Sequence, residues 1–319
     1  GGLPLPVATA PGGGWERLRK RLRSRVEKGQ WPGIAACAII GGQLQMIEER
    51  GYADVEAKIP MNRKSIVRIY SMSKCVVAAA VLQLAEEGHL TLDDELSKHI
   101  PAFENPKVLA ERSDGMPDFC RLVPSRRPIT IRHLLTHTSG ISCGLAPVLD
   151  GPRIRSARER AWANIYAPLV DRVDRNEFKC LADWVQELAN VPLVSHPGQH
   201  YGYGYSYDVL GHLIELKSGK QLETYLRDHI LGPLGMSDTG FSLTTSKARR
   251  LSVLYRYTKS SRWGGTGTNF RLVRVDPPKR GMKSRWLGRC CLPSAGGGLS
   301  SLEGGLLSTL DDYAKFLLA

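Results

Sequence analysis

Ser71 and Lys74 form an S-x-x-K sequence at the head of a segment with helical character. Side chains three residues apart on a helix share a face, with Cβ atoms about 5–6 Å apart, so the Lys74 amine can reach the Ser71 hydroxyl. A helix N-terminus also carries a partial positive charge that favours an alkoxide and the oxyanion that follows it. Four residues thus supply a candidate nucleophile, a candidate base and a favourable dipole.

The same four residues have a simpler structural interpretation. A serine at a helix start is usually an N-cap, and a lysine on the first turn is usually solvated. Because S-x-x-K is a short motif, the rest of the chain has to decide between a catalytic site and an ordinary helix start.

The elements around Ser71 and Lys74 are predicted from local pattern. Residues 75–88 are rich in Ala and Leu, contain no proline and end at Gly88, which predicts a helix. Ile66–Tyr70 predicts an extended run that leads into Ser71. Further upstream, Ile34–Ile40 and Gln43–Glu49 flank Gly41-Gly42 and predict a β-hairpin.

Most of the remaining chain is predicted to be helical, with loops between the helices. Arg153–Val173 is a charged, largely helical insertion, and Arg256–Gly298 is Gly- and Arg-rich and predicts loops with a small hairpin. Helices are predicted over Thr130–Ile141, Leu181–Leu188, Val209–Leu216, Leu222–Ile230 and from a capping start at 308–312 to Ala319.

The composition is that of an ordinary globular protein with ample chain for a core. The 319 residues are 42% hydrophobic and 24% charged, and no run approaches the roughly 18 apolar residues of a membrane span. Seven scattered cysteines without a C-x-x-C pair argue against a disulfide framework and a zinc ribbon. They favour a reducing compartment, the cytoplasm or an organelle.

The net charge of +13 raises the possibility of a nucleic-acid partner. Much of the excess lies within 17–28 and around Arg271–Arg289, and the first of these clusters is interleaved with Trp15, Leu18, Leu22 and Val26 at helical spacing. That pattern predicts the solvated face of an amphipathic helix rather than a phosphate-binding patch. We therefore expect no nucleic-acid partner, and we expect the Gly- and Pro-rich residues 1–14 to be disordered.

The order of motifs resembles that of the serine β-lactamase-like and penicillin-binding-protein-like hydrolases, most closely class C β-lactamases and family VIII carboxylesterases. S-x-x-K belongs to the related class A enzymes and penicillin-binding proteins. Seven collinear stretches carry the resemblance: Gly51–Asp54, Ile69–Lys74, Leu84–Leu90, Ile131–Gly140, Pro197–Gly211 with Tyr203, Gly235–Phe241 and Gly304–Thr309.

The resemblance implies a β-lactamase/transpeptidase-like α/β (α+β) fold, with a helical region packed on an antiparallel sheet, over residues 15–319. It implies that Ser71 attacks an ester or amide carbonyl and forms an acyl-enzyme. Lys74 would accept or relay the proton, and Tyr203 would act as phenolate or relay. Tyr205 is the next candidate, because tyrosines alternate here, and it stands where the family has Asn. That departure favours an esterase-like site over β-lactam hydrolysis.

The family's third motif, Lys-Thr-Gly, His-x-Gly or Trp-Gly-Gly, belongs after the Gly304–Leu317 region. This chain ends first, so the resemblance implies that the C-terminal strands, one of which supplies an oxyanion donor, are missing. Trp263–Thr268 imitates the motif but lies in the wrong order. One lost oxyanion donor costs about 2.7–4 kcal/mol of transition-state stabilisation, so we expect little turnover of p-nitrophenyl acetate or butyrate.

Three other features favour a structural role over a chemical one. Gly140–Gly144 fits G-x-S-x-G, but a nucleophile elbow follows a strand, and here a helix precedes it. His133 and His137 are spaced like zinc ligands without the glutamate of that motif, so no metal is expected. Cys75, beside the motif, is expected to be a small core residue.

The sequence therefore predicts a serine hydrolase, with Ser71, Lys74 and Tyr203 in its site and no cofactor or metal. The expected partner is a small-molecule ester, lactone or amide substrate, without a membrane span; the sequence does not fix the oligomeric state. Two alternatives stay open: a catalytically impaired or non-catalytic relative that acts as a binding module, and an acyltransferase that uses the same acyl-enzyme.

Overall fold

The computed structural model describes residues 14–111, 117–143, 165–169, 172–173, 177–260, 269–274 and 305–319. The segment expected to be disordered therefore lies outside the described residues except for Gly14. The same holds for Trp263–Thr268 and for most of the insertions at Arg153–Val173 and Arg256–Gly298. No helix among the described residues is long and apolar enough to cross a bilayer.

The chain divides into two compact units. The first unit takes its residues from Gly1–Arg68, Leu231–Gly288 and Leu307–Ala319, and the second from Ile69–Ile230 and Arg289–Leu306. Ser71, Lys74 and Tyr203 all belong to the second unit.

The first unit is built on an antiparallel sheet of three strands in the order β1-β2-β3. The expected hairpin is confirmed, with Ile40 opposite Gln43 at its turn. The helix that precedes it is held to β2 by the Arg23 guanidinium, whose Nε and Nη2 donate to the buried Glu48 carboxylate at 2.8 and 2.9 Å. The bounds are α1 (Gly14–Glu27), β1 (Gly33–Ile40), β2 (Gln43–Asp54) and β3 (Ile59–Pro60).

Distant parts of the chain complete the first unit. Val67 pairs with Ser308, and Arg68 with Leu307, in a short antiparallel ladder of β4 with β9. The predicted capping start at 308–312 is confirmed: Thr309 is the N-cap, and its side chain accepts from the Asp312 N–H. The bounds are β4 (Val67–Arg68), α7 (Thr245–Ala248), β7 (Tyr255–Ser260), β8 (Asn269–Arg274), β9 (Leu307–Ser308) and α8 (Leu310–Leu318).

The helix that carries Lys74, α2 (Ser73–Glu86), opens the second unit. Its predicted end at Gly88 is confirmed, since Gly88 takes φ 77°. The Gly88 N–H donates to Ala85 O and the His89 N–H to Leu84 O, which are the two hydrogen bonds of a Schellman motif. The backbone at the end of α2 is therefore satisfied without side-chain caps.

The core of the second unit surrounds α5, whose Val209, Leu210 and Leu213 are fully buried. Helices α2, α3, α4 and α6 pack against it. The bounds are β5 (Lys107–Glu111), β6 (Pro117–Pro124), α3 (Ile131–Leu135), α4 (Leu181–Ala189), α5 (Ser206–Ser218) and α6 (Leu222–Leu226), which continues as a π-helical turn, Arg227–Leu231.

Two features of the second unit differ from the sequence-based expectation. The helix predicted over Thr130–Ile141 ends at Leu135, because His137 takes a left-handed backbone conformation (φ 55°) that a helix cannot continue. The antiparallel pair β5–β6 was not predicted. The helices and antiparallel strands nevertheless give the mixed α/β architecture that the sequence implies.

Candidate active site

Ser71 lies in a 3₁₀ turn, Tyr70–Met72, that runs directly into α2. Tyr70 precedes it with φ 44°, a left-handed conformation that non-glycine residues rarely adopt and that is often found at functional sites. The N-cap position of α2 is Met72, which makes no side-chain cap hydrogen bond, and the 3₁₀ turn likewise has none. The interpretation of Ser71 as a helix cap is therefore wrong.

Lys74 is buried against Ser71 rather than solvated. Only 8% of the residue is exposed, and its Nζ lies 3.4 Å from Ser71 Oγ. The same nitrogen sits 4.7 Å from the centroid of the Tyr203 ring, within the range of a cation–π contact. The solvated-lysine interpretation of the motif is thus also wrong.

Tyr203 completes this group from 132 residues further along the chain. Its hydroxyl lies 2.6 Å from Ser71 Oγ, and either oxygen can be the donor. Tyr205, the alternative candidate, is buried with its ring 5.1 Å from that of Trp184 and 5.9 Å from that of Tyr166. The fold therefore brings Tyr203 to Ser71 and places Tyr205 in the core.

Close backbone packing holds the segment that presents Tyr203. The Gly202 N–H donates to His137 O at 2.8 Å. A Cβ on Gly204 would lie 2.4 Å from the carbonyl carbon of Ser142 and 2.5 Å from Ile141 O, so only glycine permits this approach. A Cβ on Gly202 would meet nothing within 4 Å. The position of Tyr203 therefore requires a glycine on its C-terminal side, at Gly204, and not at Gly202.

His137 extends the site into an aromatic cluster with Tyr203 and Tyr207. It is 7% exposed, and its ring centroid lies 4.7 Å from that of Tyr203 and 5.1 Å from that of Tyr207. Burial, with the nearby Lys74 ammonium, lowers the pKa of His137 to about 4, so the imidazole is neutral near pH 7. Burial raises the pKa of Tyr207, whose hydroxyl donates to Leu135 O at 3.1 Å.

In the sequence, His137 stood out only for its zinc-like spacing from His133, and its place beside Tyr203 was missed. The two histidines of that pair have different surroundings. His133 forms a capping box with Thr130, in which each side chain accepts from the other residue's backbone N–H. The signal in the sequence that could have indicated this position of His137 is the run of alternating tyrosines, because tyrosine rings pack against aromatic or apolar side chains.

The G-x-S-x-G segment does not present a nucleophile. Ser142 is buried, and its backbone N–H donates to the Tyr166 hydroxyl at 3.0 Å. The segment follows α3 rather than a strand, as the sequence indicated. Its role in the described structure is to pack against Gly204.

The expectation for Cys75 was wrong, because its side chain is exposed. The buried face of α2 is formed by Val76, Val77, Ala80, Val81 and Leu84. Cys75 lies two turns from Leu82, which is also exposed, so both project from the outer face of the helix.

Comparison with known proteins places this geometry in a family. The Beta-lactamase family model matches residues 18–319. The chain belongs to the β-lactamase family. Within it, this chain is 32% identical over 275 residues to Protein Rv1367c of Mycobacterium tuberculosis, covering 86% of this chain and 58% of that protein. It is 33% identical over 224 residues to Esterase EstB of Burkholderia gladioli, covering 70% of this chain and 50% of that protein.

A solved structure agrees with this β-lactamase-family assignment. EstCE1, a hydrolase with promiscuous acyltransferase activity, superposes with a TM-score of 0.65 at 25% identity, over 94% of this chain and 70% of its own. The β-lactamase/transpeptidase-like fold implied by the sequence is thereby confirmed. The chain spans about half the length of the curated relatives it matches.

Proposed function

We propose that this β-lactamase-family chain is a serine hydrolase that forms an acyl-enzyme at Ser71 on ester, lactone or amide substrates. The observation that carries the proposal is the contact of Ser71 Oγ with the Tyr203 hydroxyl at 2.6 Å, beside the buried Lys74 ammonium at 3.4 Å. Acyl transfer usually uses a nucleophile next to a proton acceptor. A third group then orients that acceptor or stabilises its charge.

In the proposed reaction Ser71 Oγ bonds to the carbonyl carbon of the substrate. Tyr203 acts as a phenolate that the positive charge of Lys74 stabilises; its oxygen accepts the Ser71 proton and becomes a neutral hydroxyl. The proton then moves to the leaving alcohol or amine as the carbonyl re-forms and the acyl-enzyme remains. Water then bonds to the acyl carbon as Tyr203 accepts one of its protons; the bond from that carbon to Ser71 Oγ breaks, the acid leaves and the proton returns to Ser71 Oγ.

Esters are the favoured substrate class. Tyr205 stands where lactam-hydrolysing relatives have Asn, and it is buried in the core, so its hydroxyl replaces no amide at Ser71. The likeness to Esterase EstB supports the same class. An acyltransferase is the second candidate, since EstCE1 is a hydrolase with promiscuous acyltransferase activity and an alcohol can replace water in the deacylation step.

Covalent labelling tests the proposal directly. A fluorophosphonate should form one bond from Ser71 Oγ to phosphorus with loss of fluoride, and intact mass should show a single adduct. Peptide mapping should place the adduct on Ser71, and Ser71→Ala should abolish it, while Ser142→Ala should retain it. A chain with native circular dichroism and no adduct would contradict the hydrolase and favour a non-catalytic binding module.

The molecule that accepts the acyl group, water or an alcohol, distinguishes hydrolysis from acyl transfer. The acylated protein should release its acyl group to water, with added butanol changing only the product ratio. If release required the alcohol, the acyltransferase would replace the hydrolase as the conclusion.

A further inference from the structure

The second unit contains a cavity of about 220 Å³ between the β5–β6 hairpin and residues 194–199. Liquid water occupies about 30 Å³ per molecule, so this volume suits a small organic ligand. Its walls include the apolar side chains of Val108, Leu109 and Val194, all buried. The cavity does not include Ser71, Lys74 or Tyr203.

Cationic and donor groups converge on the cavity. Arg121 and Arg126, both exposed, line it together with His196. The Arg126 backbone N–H donates to His196 Nδ1 at 3.3 Å, so the neutral imidazole carries its proton on Nε2 and is a donor on that side. Three potential donors therefore share one cavity with the apolar side chains of Val108, Leu109 and Val194.

The two arginines have no carboxylate to neutralise them in the described part of the chain. None of the described residues that line the cavity is Asp or Glu. Other arginines of the second unit are paired with acids, such as Arg132 with Asp93 at 2.7 Å and Arg172 with Glu177 at 2.9 Å. Two guanidinium groups at one concavity, without a carboxylate, create a local positive potential that an anion would relieve.

We propose that this cationic cavity, lined by Val108, Leu109, Arg121, Arg126, Val194 and His196, binds a small amphiphilic anion. One carboxylate or phosphate group lies against Arg121 and Arg126, because guanidinium groups match the geometry of such oxyanions. A short apolar body packs against Val108, Leu109 and Val194. The site is separate from Ser71, so it does not depend on the proposed hydrolase activity.

Neighbouring arginines provide a matched test. Arg126 lines the cavity, and the next residue, Arg127, is exposed and does not line it. Arg126→Gln and Arg127→Gln therefore remove the same charge one residue apart. Phenylphosphate and benzoate are titrated by calorimetry at low salt into the wild-type chain and both variants, with inorganic phosphate and benzyl alcohol as partial ligands.

Phenylphosphate or benzoate should bind the wild type and Arg127→Gln with the same Kd and bind Arg126→Gln at least about tenfold more weakly, the effect of losing one charged hydrogen bond. Whichever of the two binds more tightly identifies the oxyanion. Benzyl alcohol should not bind, and inorganic phosphate should bind more weakly than phenylphosphate. Absence of binding by both aromatic anions, or equal weakening in the two variants, would overturn the proposal, as would equal affinity for inorganic phosphate.

Discussion

The Tyr203 hydroxyl lies 2.6 Å from Ser71 Oγ, closer than the Lys74 ammonium nitrogen at 3.4 Å. In the proposed acyl transfer, the Tyr203 oxygen is therefore the nearer of the two groups to a proton that leaves Ser71. This order of distances supports Tyr203 as the proton acceptor of the proposed reaction, and each residue around it can be tested with a matched partner.

Tyr203→Phe removes this oxygen while keeping the ring that packs on Lys74 and His137. The rate of fluorophosphonate labelling at Ser71 should fall by about 10²–10⁴, the usual contribution of a general base. Tyr201→Phe is the control, because Tyr201 is 68% exposed and its ring contacts His137 edge-on rather than Ser71. Equal rates for the two variants, measured by time-resolved intact mass, would remove Tyr203 from the activation step.

Gly204→Ala tests whether backbone packing sets the position of Tyr203. The new Cβ would lie 2.4–2.5 Å from the Ser142 and Ile141 backbone, so the 203–205 segment must shift. A displacement of about 1 Å from catalytic geometry can cost about 10² in rate. Gly202→Ala meets nothing within 4 Å and should label at the wild-type rate. The idea fails if both alanine variants label alike.

Alanine substitution should lower the stability of the fold at Ser73 and abolish covalent labelling at Ser71. Ser73 is fully buried and its Oγ accepts from the Leu306 N–H at 2.8 Å, so Ser73→Ala leaves that donor unsatisfied. We expect urea unfolding to show a loss of about 1–3 kcal/mol. Ser71→Ala, at an exposed hydroxyl, should keep its stability and lose its label. A Ser73→Ala chain as stable as wild type would contradict this role for Ser73.

His137 should make stability depend on pH below neutrality. Its folded pKa of about 4 lies below the ordinary histidine pKa of 6.5, so between these pH values the unfolded chain binds a proton that the folded chain does not. The free energy of unfolding should therefore fall as the pH drops from 6.5 to 4, by up to about 3 kcal/mol from this group.

Urea unfolding at pH 7 and at about pH 4.5 measures that effect. His137→Asn, which tolerates the left-handed backbone at this position, should flatten the pH dependence relative to wild type. His200→Asn, at an exposed imidazole outside the cluster of His137, Tyr203 and Tyr207, is the control for the substitution itself. An identical slope in wild type and His137→Asn would show that His137 titrates normally.

Local pattern was sufficient to predict several elements of both units. The Gly41-Gly42 hairpin, the end of α2 at Gly88 and the capping start at 308–312 depend on residues a few positions apart, and all three are confirmed. The β5–β6 pair was missed although Asp114-Gly115 lies between its strands and is a common hairpin turn sequence.

The missed details of the site depend on contacts between distant residues. Nothing in the spacing of four alternating tyrosines fixes which one meets a serine 132 residues earlier; the resemblance alone favoured Tyr203. The burial of His137 next to Lys74 and the exposure of Cys75 likewise follow from how helices pack, which no single helix encodes.

The contact between Ser73 and Leu306 joins residues made far apart in time. At about 5–20 residues per second, a ribosome adds residue 306 roughly ten to fifty seconds after residue 71. During that interval the nascent chain carries Ser73 without the Leu306 N–H that its hydroxyl accepts from, and Val67–Arg68 lacks the Leu307–Ser308 strand. Synthesis order alone thus keeps the growing chain from completing the surroundings of Ser71 until Leu306 has been translated.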